Sequence, residues 1–324
     1  TLPDGEYAFS DLMDDDGAGT EDIKINLVIR KSGEKIVFDF DGTDSQVPGN
    51  FNLTLNATQS AVCFSLKALL DPEVPNNQGI FDAIDIRAPL GSFMNCVAPA
   101  SVALRANTCQ RVVDIVIGAL AKALPDQAIG AANGANTSAV FAGTDPRSGN
   151  QYIYLETLGG GMGARATKDG KDGVQVNITN TSNLPVEAIE IEYPLRVEEY
   201  ALVEDSGGAG RFRGGLGIRR TIRPVGHDCE FNGVGERFRN RPWGIFGGEA
   251  GKPGRFLRLD GKGGEESLPS KANRIRLTPA MAAVIETPGA GGYGAPQERS
   301  DERLQEDITS GKFTPEFVAA NYRK

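Results

Sequence analysis

The sequence predicts an α+β fold: an N-terminal mixed sheet-and-helix region, then an all-β sandwich or barrel unit, then a short helical tail. Three observations carry this. Strands with alternating apolar residues lie near the start, two long helices with apolar stripes follow, and from about residue 196 short strand-like runs are separated by glycine clusters. The divisions are residues 1–195 for the α+β domain with an antiparallel hairpin and two long helices, 196–296 for the Gly-rich all-β domain, and 297–324 for the tail. At 324 residues the chain exceeds the ~250–300 residues at which a single core stops growing. Its 41 glycines favour tight turns.

Residues 23–31 alternate with Ile23, Ile25, Leu27 and Ile29 on one face, and 35–41 alternate through Ile36, Phe38 and Phe40. The turn Ser32-Gly33-Glu34 between them makes a hairpin with one buried face. A helix over 56–70 carries Val62, Leu66, Leu69 and Leu70 at helical spacing and stops at Pro72. A second, 107–124, has Asn107 as candidate cap with Gln110 three residues on, and ends before Pro125. Its apolar stripe is wide enough to imply burial on most sides. Strands are expected at 151–158, 174–180 and 186–193, with a glycine loop at 159–163. Thr314 and Pro315 mark the start of a last short helix.

The net charge is −9, and residues 1–60 hold twelve acidic against four basic residues. An acidic chain repels nucleic acid and anionic lipid, both polyanions. No apolar run approaches the ~18 residues of a membrane span. Cys63, Cys96, Cys109 and Cys229 lack metal or redox spacing and read as free thiols in a reducing compartment, the cytoplasm.

Several motifs fail on context. Asp39-Phe-Asp41-Gly42-Thr43 has the form of a phosphatase nucleophile motif, but its strand pairs in a hairpin rather than a parallel sheet. Around Asp14-Asp15-Asp16-Gly17, a calcium loop would place Leu12 and Ile23 at ligand positions. The acids therefore read as a solvated turn. The loop Gly159-Gly-Gly161-Met-Gly163-Ala164 contains GxGxxA but runs into Arg165-Ala-Thr-Lys168-Asp-Gly rather than a helix, so it is no dinucleotide fingerprint. No GxxxxGK[ST] occurs. His227 is the only histidine and sits among turn residues, which reads as a surface position and removes histidine-based metal sites. Thr1 as an N-terminal nucleophile is disfavoured by the turn Pro3-Asp4-Gly5. Metal ligands are therefore expected to be none.

Six segments in order carry a resemblance. They are Asp71-Pro-Glu-Val-Pro-Asn76-Asn77-Gln-Gly79, Glu156-Thr-Leu-Gly-Gly-Gly-Met-Gly-Ala-Arg165, Asn180-Thr-Ser-Asn-Leu-Pro-Val-Glu187, Tyr193-Pro-Leu-Arg-Val-Glu198, Asp205-Ser-Gly-Gly-Ala-Gly-Arg211-Phe-Arg-Gly-Gly-Leu-Gly217 and Glu286-Thr-Pro-Gly-Ala-Gly-Gly-Tyr-Gly294. Together they resemble the C-terminal part of the hydantoinase B/oxoprolinase family, which also includes the acetone carboxylase large subunit. The resemblance implies a component of an ATP-dependent enzyme that opens cyclic amides such as hydantoins or 5-oxoproline. The alternatives are a ketone carboxylase component or a non-catalytic assembly subunit. It also implies ATP on a hydantoinase A-type partner subunit, a divalent metal in the N-terminal half of the hydantoinase B-type polypeptide or a partner chain, and a hetero-oligomer acting on a small molecule. That N-terminal half is expected as a separate or cleaved polypeptide, and the isolated chain as inactive.

For this chain the candidate catalytic residues are Glu156 and Arg165. The candidate substrate-binding residues are Asn76, Asn77, Asn107, Arg111, Gly160, Gly161 and Gly163. Glycine backbone can approach a ligand closely and offer NH groups to an anion. Arg165 can grip a carboxylate or phosphate with two parallel bonds.

Overall fold

The structure, a computed structural model, describes residues 2–322. The reading of Thr1 and the last two residues of the tail lie outside the described residues. β1 (Gly5–Asp15) pairs antiparallel with β2 (Glu21–Ser32), and β2 with β3 (Lys35–Asp39), as the hairpin requires. α1 (Leu55–Leu70) and the short α2 (Gln78–Asp82) lead to β4 (Ile84–Arg87), which adds parallel to β3. α3 (Arg105–Leu120) packs on α1 and on β1 and β2. Ile23, Ile25, Leu27 and Ile29 are fully buried beneath the helices, and Val112, Val113, Ile115 and Val116 of α3 are fully buried too. The strand period of two and the helix period of 3.6 thus aim into one apolar layer.

The second core is a sandwich. β5 (Thr137–Thr144), β6 (Gln151–Leu158), β9 (Cys229–Val234) and β12 (Lys271–Leu277) form one sheet in the order β12-β9-β5-β6. β7 (Leu195–Leu202), β8 (Ile218–Pro224), β10 (Arg255–Leu259), β11 (Glu265–Leu268) and β13 (Ala282–Glu286) form the other in the order β11-β10-β13-β8-β7. Phe141, Phe231, Phe256, Ile222 and Ile285 fill the space between them. The sheets are open, so the expected choice between sandwich and barrel resolves to sandwich. The first sheet draws β5 and β6 from before residue 195 and β9 and β12 from after it.

Two expected strands are absent. Residues 186–193 instead form α4 (Val186–Glu192), entered from Pro185. Ile189 is buried and Ile191 is 72% exposed; two residues apart they would share a face in a strand, whereas a helix turns them apart. Residues 174–180 keep one isolated bridge, Gly160 to Val174, and Asn177 then takes φ +50°, outside the regular strand region. β1 and β5 had no counterpart among the expected strands.

The two cores meet where glycine-rich segments at 129–135, 159–164, 206–217 and 288–294 run against one another. Gly161 N donates to Pro288 O, Ala164 N to Gly291 O, Gly291 N to Ala131 O and Gly215 N to Met162 O, all at 2.9–3.1 Å. A Cβ on Gly161 would overlap the Gly215 carbonyl, and one on Gly163 the Gly130 carbonyl. Here backbone packs on backbone, and only glycine permits it.

The tail comprises α5 (Asp301–Thr309) and α6 (Pro315–Tyr322), and Thr314 Oγ1 accepts from Phe317 N at 3.0 Å as the expected cap. Leu304, Phe313, Val318 and Tyr322 pack against Leu216 and Ala209. Asp307 bridges two buried arginines, Arg213 at 3.1 Å and Arg299 at 2.7 Å. These reach Asp172 and Asp169, each at 2.7 Å.

Candidate functional site

A cavity of about 620 Å³ opens between α1, α3 and the segment 162–179. Phe64 and Leu69 of α1 and Val113 and Ile117 of α3 supply an apolar wall. Arg165, Lys171, Gln175 and Asn177 supply the polar side. Its size lies in the usual range for small-molecule sites, about 300–1,000 Å³, and its mix of apolar walls with a few polar groups is what such sites present.

The polar wall is fixed from α3. Gln110, buried in the helix, donates through Nε2 to Thr179 Oγ1 at 2.8 Å, Val176 O at 3.0 Å and Asn136 Oδ1 at 3.1 Å. Asn107 Oδ1 accepts from Asn136 N at 2.9 Å. The pair expected to cap the helix therefore ties it to two neighbouring segments, and α3 starts two residues earlier, at Arg105. Asn177 Nδ2 donates to Asp114 Oδ1 at 3.4 Å. Its left-handed backbone is uncommon outside glycine and marks a place where surrounding contacts override local preference.

Behind this wall lies a buried ionic network. Asp114 meets Arg237 at 2.8 Å, Arg237 meets Asp11 at 2.9 Å, and Arg111 reaches Asp11 at 3.5 Å and Glu236 at 3.3 Å. Lys271 closes the chain onto Glu236. Both arginines and Glu236 are fully buried. Burial pushes the Asp114 and Glu236 carboxyls above the ordinary range despite these partners. Asp14 is also fully buried, and its carboxylate accepts from the backbone N of Phe238, Arg239 and Asn240 at 2.6, 3.2 and 2.9 Å. The expectation of a solvated acidic turn is thus corrected: Asp14 and Asp16 are inside, because a loop from the far end of the chain brings amide donors to one and Gly49 N donates to the other at 3.0 Å.

Among the described residues no group of three or more His, Cys, Asp or Glu is placed to hold a metal. The converging carboxylates do not suit a divalent ion either. Arg111, Arg237 and Lys271 already stand against them, and a cation would meet that positive charge in a dry interior.

The sequence-predicted residues separate. Arg165 lines the cavity. Glu156 does not: it is buried on the inner face of β6 and pairs with Arg220 of β8 across the sandwich. Arg111 belongs to the ionic network. Asn76 accepts from Lys67 Nζ at 3.1 Å, and Asn77 caps α2 through Gly79 N at 2.9 Å. Both asparagines line a second cavity of about 490 Å³, which shares Phe64 and Ala68 as a wall with the first. The amides of Gly160, Gly161, Met162 and Ala164 donate to backbone carbonyls, so these NH groups are not free for an anion. His227 is half-buried, with Nε2 2.7 Å from Tyr152 OH. Sequence reasoning missed Lys171, Asn177 and the acid Asp114. The last had a visible signal, a lone carboxylate inside Val112-Val113-Asp114-Ile115-Val116.

Residues 1–296 match the Hydantoinase B/oxoprolinase family model. The chain belongs to the hydantoinase B/oxoprolinase family. A protein of a Pseudomonas species, named as a D-/L-hydantoinase component of the B type, is 33% identical over 334 residues, covering 99% of this chain and 56% of that protein. The ATP-dependent caprolactamase from Pseudomonas jessenii superposes with a TM-score of 0.88 at 25% identity, over 99% of this chain and 57% of that one. A nucleotide-free acetone carboxylase superposes with a TM-score of 0.85 at 16% identity, over 99% of this chain and 49% of that one, a likeness of fold. The chain spans about half the length of the curated relatives it matches first, 52% and 56%. No helix among the described residues is long and apolar enough to cross a membrane.

Proposed function

We propose that this chain is a component of an ATP-dependent enzyme that opens a cyclic amide such as a hydantoin or 5-oxoproline. The observation that carries this is the match along 99% of the chain to a relative named as the B-type component of a hydantoinase, with the fold of an ATP-dependent caprolactamase alongside it. ATP is assigned to a hydantoinase A-type partner, since this sequence holds no phosphate loop. A divalent metal is assigned to the N-terminal half of the hydantoinase B-type polypeptide or to a partner chain. The unpaired thiols Cys63, Cys109 and Cys229 support a reducing, cytoplasmic setting. The contribution of this chain is the cavity wall, with Arg165 as the ligand contact and Glu156 as the cross-sheet pair that holds β6.

The test is phosphate release by the complex rebuilt from this chain, the remainder of the hydantoinase B-type polypeptide and the A-type partner. A hydantoin, 5-oxoproline or a lactam should stimulate ATP hydrolysis, and the chain alone should hydrolyse none. Stimulation by acetone with bicarbonate, and by no cyclic amide, would replace the hydrolase reading with the carboxylase one. Turnover unchanged by Arg165→Gln would move the chain to a purely structural role.

A further inference from the structure

We propose that the cavity between α1, α3 and the 162–179 segment binds a small organic monocarboxylate with an aliphatic body, its carboxylate held by Arg165 and Lys171. This deepens the function proposed above by naming the ligand class of the same cavity, and it rests on that reading for the ligand's role in turnover but not for binding itself.

The first support is unmatched charge. The fully or nearly buried arginines Arg111, Arg213, Arg220, Arg237 and Arg299 each face an acid. Among the described residues, the ion pairs include none for Arg165 or Lys171; the side-chain hydrogen bond of Arg165 is to the Met162 sulfur, at 3.7 Å. Arg165 is half-buried and Lys171 is exposed at the cavity rim, and the two stand open side by side in a chain of net charge −9. The third charged residue of the lining, Asp126, is in no ion pair either, which leaves the lining at one net positive charge. That balance favours a monoanion over a dianion.

The second support is that the loop is held in place while its cations stay open. Arg165 N donates to Lys168 O at 3.0 Å and Met162 N to Lys171 O at 2.9 Å. The acids flanking Lys171 in sequence are engaged elsewhere: Asp169 with Arg299 and Asp172 with Arg213, each at 2.7 Å. Neither carboxylate is therefore free to neutralise Lys171. A backbone already fixed loses less freedom when the ligand arrives. A half-buried guanidinium also attracts an anion more strongly than one in bulk water.

The third support is the opposite wall. Phe64, 37% exposed, offers apolar surface to a hydrocarbon body, with the edges of Leu69 and Ile117 beside it. A bare inorganic anion would leave that surface wet.

The experiment compares hexanoate, its neutral analogue hexanamide and inorganic phosphate by saturation-transfer NMR titration. It uses this chain and its Arg165→Gln, Lys171→Gln and Lys262→Gln variants, with circular dichroism as a folding control. Hexanoate should bind at least about tenfold tighter than hexanamide, the factor one charge-assisted contact supplies. Each cavity variant should lose about tenfold and most of that preference. Lys262→Gln, on an exposed turn, should change nothing. Equal binding of hexanoate and hexanamide, absence of binding, or full hexanoate affinity in folded Arg165→Gln and Lys171→Gln proteins would overturn the proposal. Phosphate matching hexanoate would overturn the carboxylate assignment in favour of a general anion site. Normal hexanoate binding beside a complex that no cyclic amide stimulates would sink the proposed function while leaving this site standing.

Discussion

In the N-terminal layer, Ile23, Ile25, Leu27 and Ile29 of β2 interlock with Val112, Val113 and Val116 of α3. At the junction of the two cores, Gly161, Gly163, Gly214, Gly215 and Gly291 press backbone on backbone, and Arg111 and Arg237 hold buried carboxylates beside them. The first region is stabilised by what its side chains bury, and a smaller apolar residue still buries something. The second is defined by side chains that are absent and by charges that must be matched. Apolar packing degrades gradually under substitution, whereas a backbone crossing or a dry ion pair has few intermediate states. The cavity lies along this contrast, with its apolar wall on α1 and α3 and its polar wall on the segment that leaves the glycine junction.

The sharpest test of the contrast is Gly163→Val. Its Cβ would overlap the Gly130 carbonyl, so one of the crossing chains must move, and no soluble, cooperatively melting protein is expected. A variant that melts normally would break the claim that the junction tolerates nothing. Next is Arg237→Met, which leaves Asp114 in the interior without its ion-pair partner, while Asp11 keeps Arg111 at 3.5 Å. A loss of about 3–5 kcal/mol is expected in chemical denaturation, with partial recovery when Asp114→Leu is added. Ile25→Ala in the apolar layer should cost about 2–5 kcal/mol while leaving a cooperative transition.

The smallest effect is a pH dependence. Burial disfavours the Asp14 carboxylate, but the Asn240 amide, Arg111, the Phe238 amide and Lys271 outweigh it and hold the carboxyl below the ordinary aspartate range. Its contribution is then fully present above the unfolded value of about 3.9 and is lost as pH falls through the folded value. Glu236 and Asp114, raised by burial, act with opposite sign. Their contribution is present below the unfolded values and lost as pH rises through the folded ones. Comparing the native chain with Asp14→Asn isolates the first effect: the native chain should lose more stability on acidification from about pH 5 to 2. Parallel curves would show that Asp14 is not held ionised by these donors.

Legibility followed the same division. The hairpin at 23–41, the two long helices and the cap at Thr314 were readable because each rests on a local period or a local hydrogen bond. The helix at 186–192 was misread because two isoleucines at spacing two fit a strand as well as a short helix, and the partner that decides, the sandwich core around Ile189, comes from distant segments. Within the cavity, Arg165 was legible from its place after a glycine loop. Lys171 and Asn177 were not, since nothing near them in sequence says that α3 stands opposite. Glycine backbone suggested NH donors for an anion; the amides of Gly160 and Gly161 are taken up by Val174 O and Pro288 O, and the missing Cβ atoms of Gly161 and Gly163 permit chain crossings.

The sequence by itself determined the fold class, the apolar layer, the family and the absence of a phosphate loop, because each is written in composition, short-range periodicity or ordered motifs. Only the tertiary structure decided which charges are buried and which are open. Asp14 looked solvated until Phe238, Arg239 and Asn240 arrived from more than 220 residues away. Arg165 and Lys171 became a pair of open cations only once Asp169 and Asp172 were seen to be engaged by Arg299 and Arg213. The physical reason is that a charge is settled by whatever lies within a few ångströms of it, and in this chain those neighbours come from 41 to 226 residues away.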